Sequence, residues 1–387
     1  MSEVSDVRKS DRPFDQPRTL GAVVELSQTS WLVGGMVPGL QRSPLKKLRA
    51  DKEALFRLLE RWRDEALGAG HEITRIAVAC ESGRDGFWLV RWLRAQGIEA
   101  YVIHAASVAV SREHRRAKTD RLDTALLKRA FLGWLRGEIG HCSMVMIPSR
   151  EEEDAKRPSR ERETLMKERT RLINAMKGDL ARLGVRNFNP KLRRAREKLD
   201  ELRTPEGTAL PPNTRAKLTR DLERLHLVVA QIKAIEAARL ERLEASPEVK
   251  PHAMILLLAR VVGVGIETAD MLVREVLSRP LRDRRAVARY AGLTGAPDES
   301  GSKRREKGLA KAGNARVRRG MIQLAWRLLR FQKDSALVQW YQERTSDGRG
   351  DTRKTMIVAL ARKLLIALWR LVTTGEVPEG FILRPAL

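Results

Sequence analysis

Only two cysteines occur in the 387 residues, Cys80 and Cys142. That is too few for a disulfide framework or a cysteine-built zinc site, and it suits a reducing cytosol. Histidine is equally sparse. The six residues at 71, 104, 114, 141, 226 and 252 form no pair at ligand spacing, which argues against histidine metal or triad chemistry. Long apolar runs are missing too. The two longest, 254–264 and 364–372, are broken by Arg260 and Arg370. Both fall short of the ~20 residues that cross a bilayer, so no membrane partner is expected. The opening MSEVSDVRKSDRPFDQPR has no apolar signal core and reads as a disordered polar lead-in over 1–18. Acidic residues are outnumbered, 49 against 75 Lys and Arg, for a formal charge of +26.

Such a charge costs self-repulsion unless a polyanion neutralises it, and nucleic acid is the obvious one. A basic housekeeping protein or an anionic-membrane binder is the alternative, but no amphipathic anchor or lipidation signal supports the latter. The length predicts two or three structural units. From 19 to 37, TLGAVVELSQTSWLVGGMV reads as a hairpin around Ser27-Gln28-Thr29. Alternation puts Leu20, Ala22, Val24 and Leu26 on one face and Glu25 on the other. A helix marked by Leu55, Leu58, Leu59 and Trp62 follows, then a strand over 73–80 ending at Glu81, a helix over 87–96, a strand over 98–104, and a helix opening near Thr119. This order predicts an α/β domain over 19–150 with a mixed sheet and an antiparallel start.

Between 151 and 248 the composition turns charge-rich and aromatic-poor. Leu165, Leu172, Met176, Leu180 and Leu183 make one helical stripe; Leu218, Leu222, Leu225, Val229, Ile232 and Ile235 make another, resumed at Leu240 and Leu243. Two long coiled-coil helices are expected, paired as an antiparallel hairpin or across a dimer. The separator TPEGTALPPN forces the chain out of the helix. From 249 to 387 the chain reads as a mainly helical C-terminal domain with glycine punctuation.

Three constellations can carry chemistry. Glu25, Glu81, Asp120 and Asp123 form the first, with Asp120 and Asp123 three apart on one helix face. Magnesium or manganese takes hard oxygen ligands of this type, and phosphodiester chemistry uses such ions. Each residue also has an ordinary explanation, as a helix-dipole partner, a turn residue or an exposed strand position. The second is Val262-Gly263-Val264-Gly265, a glycine turn between two apolar helices that resembles a helix-hairpin-helix contact to a nucleic-acid backbone. An ordinary hairpin turn is its alternative. The third runs from Ser300 through Lys303, Arg304, Arg305, Lys307, Lys311, Arg316, Arg318 and Arg319, opposed only by Glu306. So many cations suit phosphate contact, and Tyr290, Ala291, Leu293, Met321, Leu324 and Trp326 bracket them with core-like residues, so the run reads as a held loop. Ser300 is a candidate nucleophile if cations or a metal activate it.

In order, VVELSQTSW, ACESGRDGFW, RAKTDRLDTALL, VVGVGIETA, YAGLTGAPDESGSKRR, LAKAGNARVRRGMIQLAW and ARKLLIALW resemble the DEDD insertion-sequence transposases, the family numbered one hundred and ten among bacterial insertion sequences. The stretch from YAGLTG to GMIQLAW is the most specific part. The resemblance implies a RuvC-like, RNase H-type N-terminal domain, a coiled-coil insertion and a C-terminal transposase domain. It implies that Glu25, Glu81, Asp120 and Asp123 bind magnesium and that Ser300 attacks a DNA phosphate to form a covalent link. It further implies DNA partners, a structured guide RNA, a homo-oligomer of two or four copies, and a bacterial, cytoplasmic, nucleoid-associated setting. Two departures stand out. Glu25 occupies a position where the family usually has aspartate, and Val262 stands where proline often precedes the glycine. A carboxylate-only nuclease or resolvase and a non-catalytic nucleic-acid scaffold are the rival readings.

Overall fold

The computed structural model describes residues 9, 10, 12–81, 83, 85–108, 120–300, 303–310 and 312–385, with the backbone alone at 106, 297–300 and 303–307. The chain falls into two compact units, Met1–Arg150 and Glu151–Leu387.

In the first unit five strands form one sheet: β1 (Thr19–Leu26), β2 (Ser30–Met36), β3 (Leu45–Arg49), β4 (Arg75–Glu81) and β5 (Glu99–Ile103), in the order β3-β2-β1-β4-β5. The first three run antiparallel; β1, β4 and β5 run parallel. Period-two alternation divides the core between the faces of the sheet. Leu20, Ala22, Val24, Val78 and Val102 pack on α1 (Lys52–Gly68) and α2 (Gly86–Ala95) through Leu55, Leu59, Trp62, Leu89 and Leu93. Val23, Ala77, Ala79 and Ile103 face α3 (Asp120–Leu135) through Leu127, Ala130, Phe131 and Trp134. The result is the mixed α/β sheet read from the sequence, with helices on both faces.

Two readings need correction here. β3 was not foreseen, because LKKLR is almost wholly exposed and carries no apolar alternation; an edge strand studded with lysine resists further pairing. The lead-in is held from Arg12 to Arg18 and at Ser10. Ser10 N donates to Trp134 O at 3.0 Å, Arg12 pairs with Glu99, and Phe14 packs on the α3 core. Residues 1–8 and 11 of that lead-in, and Lys118 and Thr119 ahead of α3, lie outside the described residues.

The second unit is mostly helical. α4 (Arg150–Asp154) leads into α5 (Arg157–Arg182); α6 (Ala195–Glu201) precedes α7 (Pro212–Ala245). α5 and α7 are antiparallel within one chain. Asp179 meets Lys217, Glu168 meets Arg224, and Glu236 meets Arg162, so residue numbers rise on one helix as they fall on the other. Leu172, Met176 and Leu180 pack against Leu218, Leu222 and Leu225 between them.

The remaining helices are α8 (Lys250–Ala259), α9 (Ile266–Leu272) continuing as a π-helical turn (Val273–Leu277), α10 (Arg284–Tyr290), α11 (Ala315–Phe331), α12 (Ala336–Arg344) and α13 (Gly350–Thr374). They share a core that includes Leu258, Leu272, Val276, Met321, Leu324, Leu364 and Leu368. Caps fix several starts: the side chains of Asp283, Asn314 and Ser335 accept backbone N–H groups of α10, α11 and α12. The basic segment read as a held loop is instead an antiparallel ribbon of β6 (Gly295–Ser300) and β7 (Lys303–Leu309). Its proline, glycine and charged residues hide the pairing from a hydrophobic-period reading.

Among the described residues, no helix is long and apolar enough to cross a membrane.

Candidate active site

Glu25 lies at the carboxyl end of β1 and Glu81 at the carboxyl end of β4. Val24 pairs with Cys80 in parallel register, so Glu25 and Glu81 are the next residues on neighbouring strands. Glu25 follows the alternation of Val23, and Glu81 that of Ala77 and Ala79; all three apolar residues face α3. Both carboxylates therefore belong to the α3 side of the sheet, and both are half-buried.

The thiol of Cys80 registers their proximity. Its pKa is pushed up to about 12, first by burial and then by the charges of Glu25 and Glu81. A buried, protonated thiol is neither a nucleophile nor a soft metal ligand.

Asp120 and Asp123 occupy the first turn of α3, Asp120 exposed and Asp123 half-buried. Thr124, the next residue, is buried against the sheet, and its Oγ1 donates to Asp120 O at 2.7 Å. The seat for it is Gly34, opposite Val23 on β2: a Cβ there would stand 2.8 Å from the Thr124 methyl carbon. Without a side chain at 34, the acidic end of α3 can rest on the sheet beside β1.

The structure thus brings Glu25 and Glu81 side by side and carries Asp120 and Asp123 on the helix covering the same face. It does not close them into a cage: among the described residues, no three of His, Cys, Asp and Glu stand near enough to hold a metal. The donor set is nevertheless all hard oxygen, the kind a divalent cation such as magnesium prefers.

In the second unit, Ser300 is the last residue of β6, with its backbone opposite Lys303 at the ribbon tip. Arg304 and Arg305 stand in register with Glu299 and Asp298. Lys307 lies further along β7, while Lys311 and the tip residues 301 and 302 lie outside the described residues. The glycine turn is only partly open. Gly263, at φ +98°, is buried against Phe331; Gly265 keeps an ordinary φ of −92°, with open space where a Cβ would go.

Structural partners missed by the sequence reading cover the turn. Gln332 donates to Val262 O at 2.8 Å and Ile382 O at 3.0 Å, and Arg384 donates to Ala259 O at 2.7 Å. The arginines grouped with the phosphate contacts also have internal work. Arg316 pairs with Glu163 and approaches Glu275 at 3.6 Å, Arg319 reaches Glu163 at 3.1 Å, and Arg318 donates to Ala312 O at 3.2 Å. Glu163 and Glu275 gave no separate sequence signal. Asn314 did, as a capping residue directly ahead of a helical stripe.

An α/β sheet domain with carboxylates at its strand ends, joined to a helical unit carrying a basic ribbon, belongs to the class of phosphate-handling proteins that the charge foretold. Two family models agree with that class. The "Transposase IS116/IS110/IS902 family" matches residues 256–359, and the DEDD transposase model of the same group matches 42–184. A Sinorhizobium fredii protein named "Putative transposase y4rJ" is 43% identical over 380 residues, covering 94% of this chain and 95% of that relative. The chain belongs to the IS116/IS110/IS902 family of transposases. Glu81, Asp120 and Asp123 fall inside the first matched region and Ser300 inside the second, whereas Glu25 precedes both. Membership in a DEDD family carries a divalent-metal requirement with it.

Proposed function

We propose that this transposase cuts and rejoins DNA through Ser300, with Glu25, Glu81, Asp120 and Asp123 holding magnesium. The observation that carries the reading is the parallel register of Val24 with Cys80, which sets two carboxylates side by side on the face that the acidic end of α3 covers. Strand order β3-β2-β1-β4-β5, antiparallel then parallel, supports an RNase H-type, RuvC-like identity for the sheet domain. The antiparallel α5 and α7 pair supports a coiled-coil insertion at 151–248 ahead of a transposase domain at 249–387. Val262 to Gly265 supports a helix-hairpin-helix contact, made chiefly through the open side at Gly265.

In the first step the Ser300 hydroxyl loses its proton and its Oγ forms a bond to phosphorus. One bridging P–O bond breaks, and the released sugar oxygen takes up a proton. Attack by a sugar hydroxyl on the phosphoserine reverses this balance and rejoins a strand, so bond energy is conserved without an external donor. Magnesium, when bound, supplies charge neutralisation at the phosphate. Lys303, Arg304, Arg305 and Lys307 position the strand, and a structured guide RNA and a homo-oligomer complete the assembly in this reading.

Ser300→Ala is expected to abolish covalent protein–DNA capture while leaving DNA binding intact; persistent capture overturns the serine assignment. Asp123→Asn should remove metal-dependent recombination, and unchanged recombination rejects the acidic site. Sequencing of RNA copurified with the protein tests the guide: a discrete RNA with stretches matching the element's ends and target is the expected result.

A further inference from the structure

We propose that Asn314 and Glu275 are positioning residues that set the posture of the β6–β7 ribbon, and with it the place of Ser300. The inference rests on the reading of Ser300 as nucleophile. β6 and β7 pack chiefly on each other, so the ribbon's direction must be fixed where it leaves the helical body. That exit is a pinch between Gly292, before β6, and Gly313, after β7. A Cβ on Gly313 would lie 2.5 Å from Arg289 O and 2.6 Å from Gly292 N, and one on Gly292 would collide with Ala312 O. Both glycines have positive φ, +66° and +85°, so sterics and backbone conformation exclude other residues there together.

Asn314 joins this pinch to the start of α11 and to Glu275. Its backbone N–H donates to Tyr290 O at 2.6 Å, tying the exit of β7 to the approach of β6. Its Oδ1 accepts from Arg316 N and Val317 N, which caps α11. Capping needs only that oxygen. Its Nδ2 donates instead to Glu275 Oε2 at 3.1 Å. The Glu275 side chain is 3% exposed and receives two N–H groups from Arg160 of α5, at 2.9 and 3.1 Å. A carboxylate so deep persists only because it is paired and hydrogen-bonded. Arg160, Glu275 and Asn314 therefore form one chain of charge-assisted contacts from the long helix to the foot of the ribbon, and a shift at the foot is carried to the tip.

Asn314→Asp separates the two jobs of the side chain. It keeps the capping oxygen, with both of its N–H donors, but turns the amide that donates to Glu275 into a carboxylate oxygen. The protein with its copurifying nucleic acid is incubated with a duplex spanning an end of the element, and covalent capture and duplex binding are measured separately. Asn314→Asp is expected to slow capture about tenfold or more, since displacement by about an ångström is that costly, while binding changes less than about twofold. The charge-conserving swap Asn314→Asp with Glu275→Gln restores a donor between the two positions and should recover capture to within about threefold of wild type.

Wild-type capture by Asn314→Asp, or a swap no faster than the single variant, overturns the proposal. So does binding that falls in parallel with capture. Should Asn314→Asp fail to fold, Asn314→Ser decides, because serine caps the helix without reaching Glu275; wild-type capture then overturns the idea. Capture that survives Ser300→Ala sinks the nucleophile reading itself. Capture lost in Ser300→Ala but unaltered in Asn314→Asp sinks this inference alone.

Discussion

Glu275 holds a negative charge where burial alone would suppress one. Burial raises its pKa, but Arg160, the Asn314 amide and Arg316 outweigh that and hold it below the ordinary 4.5. A carboxyl whose pKa is lowered on folding stabilises the native state fully above its unfolded pKa, and the stabilisation disappears as pH falls through the lower folded value. Glu163, held down by Lys167, Arg316 and Arg319 against its own burial, and Glu99, held down by Arg75, Tyr101 and Arg12, behave alike. The melting temperature is therefore expected to drop as pH falls below about 4.5. Glu275→Gln should melt lower than wild type at neutral pH and converge on it in acid; a constant gap down to acid pH would show that the charge of Glu275 contributes nothing.

Elements were legible in the sequence where one face is apolar and one is not. The alternation of Leu20, Ala22 and Val24 showed both the strand and the face Glu25 would take, and the leucine stripes of α5 and α7 showed two helices that bury one side each. Strand β3 and the β6–β7 ribbon were illegible, because backbone pairing holds them and their side chains carry no hydrophobic period. Gln332 was illegible for another reason. It is fully buried in the turn after α11, and its partners Val262 and Ile382 lie 70 and 50 residues away in the chain. It also accepts from Ile382 N at 2.8 Å, so one amide binds the glycine turn to the C-terminal segment. Gln332→Ala would strand Val262 O and Ile382 N, while Ile382 O keeps the N–H of Val262, and a loss of about 2–4 kcal/mol is expected in chemical denaturation. A loss below about 0.5 kcal/mol, the range of ordinary surface changes, would mean that water replaces the amide without cost.

For the whole molecule, a charge of +26 says that a polyanion is bound but not which cations bind it. Read along the chain, Lys303 to Arg319 is one basic run. Folded, it splits into a ribbon in β7 and a helix start whose arginines are engaged by the protein. The Arg316 side chain is only 25% exposed and shares Glu163 and Glu275, so its charge is spent on holding α11 against α5. Lys303, Arg304 and Arg305 follow the ribbon tip, on a strand whose backbone pairs with β6. The two groups should therefore separate when nucleic-acid affinity is measured against salt. Each phosphate contact contributes about 0.9 to the slope of log affinity on log salt for duplex DNA. Replacing Lys303, Arg304 and Arg305 with alanine is expected to flatten the slope by about one per residue that meets a phosphate, with little change in melting temperature. Arg316→Ala should do the reverse, lowering the melting temperature while the slope stays as in wild type. A shallower slope for Arg316→Ala with unaltered stability would mean that its pairing with Glu163 gives way to phosphate in the complex, and that the basic run acts as one surface after all.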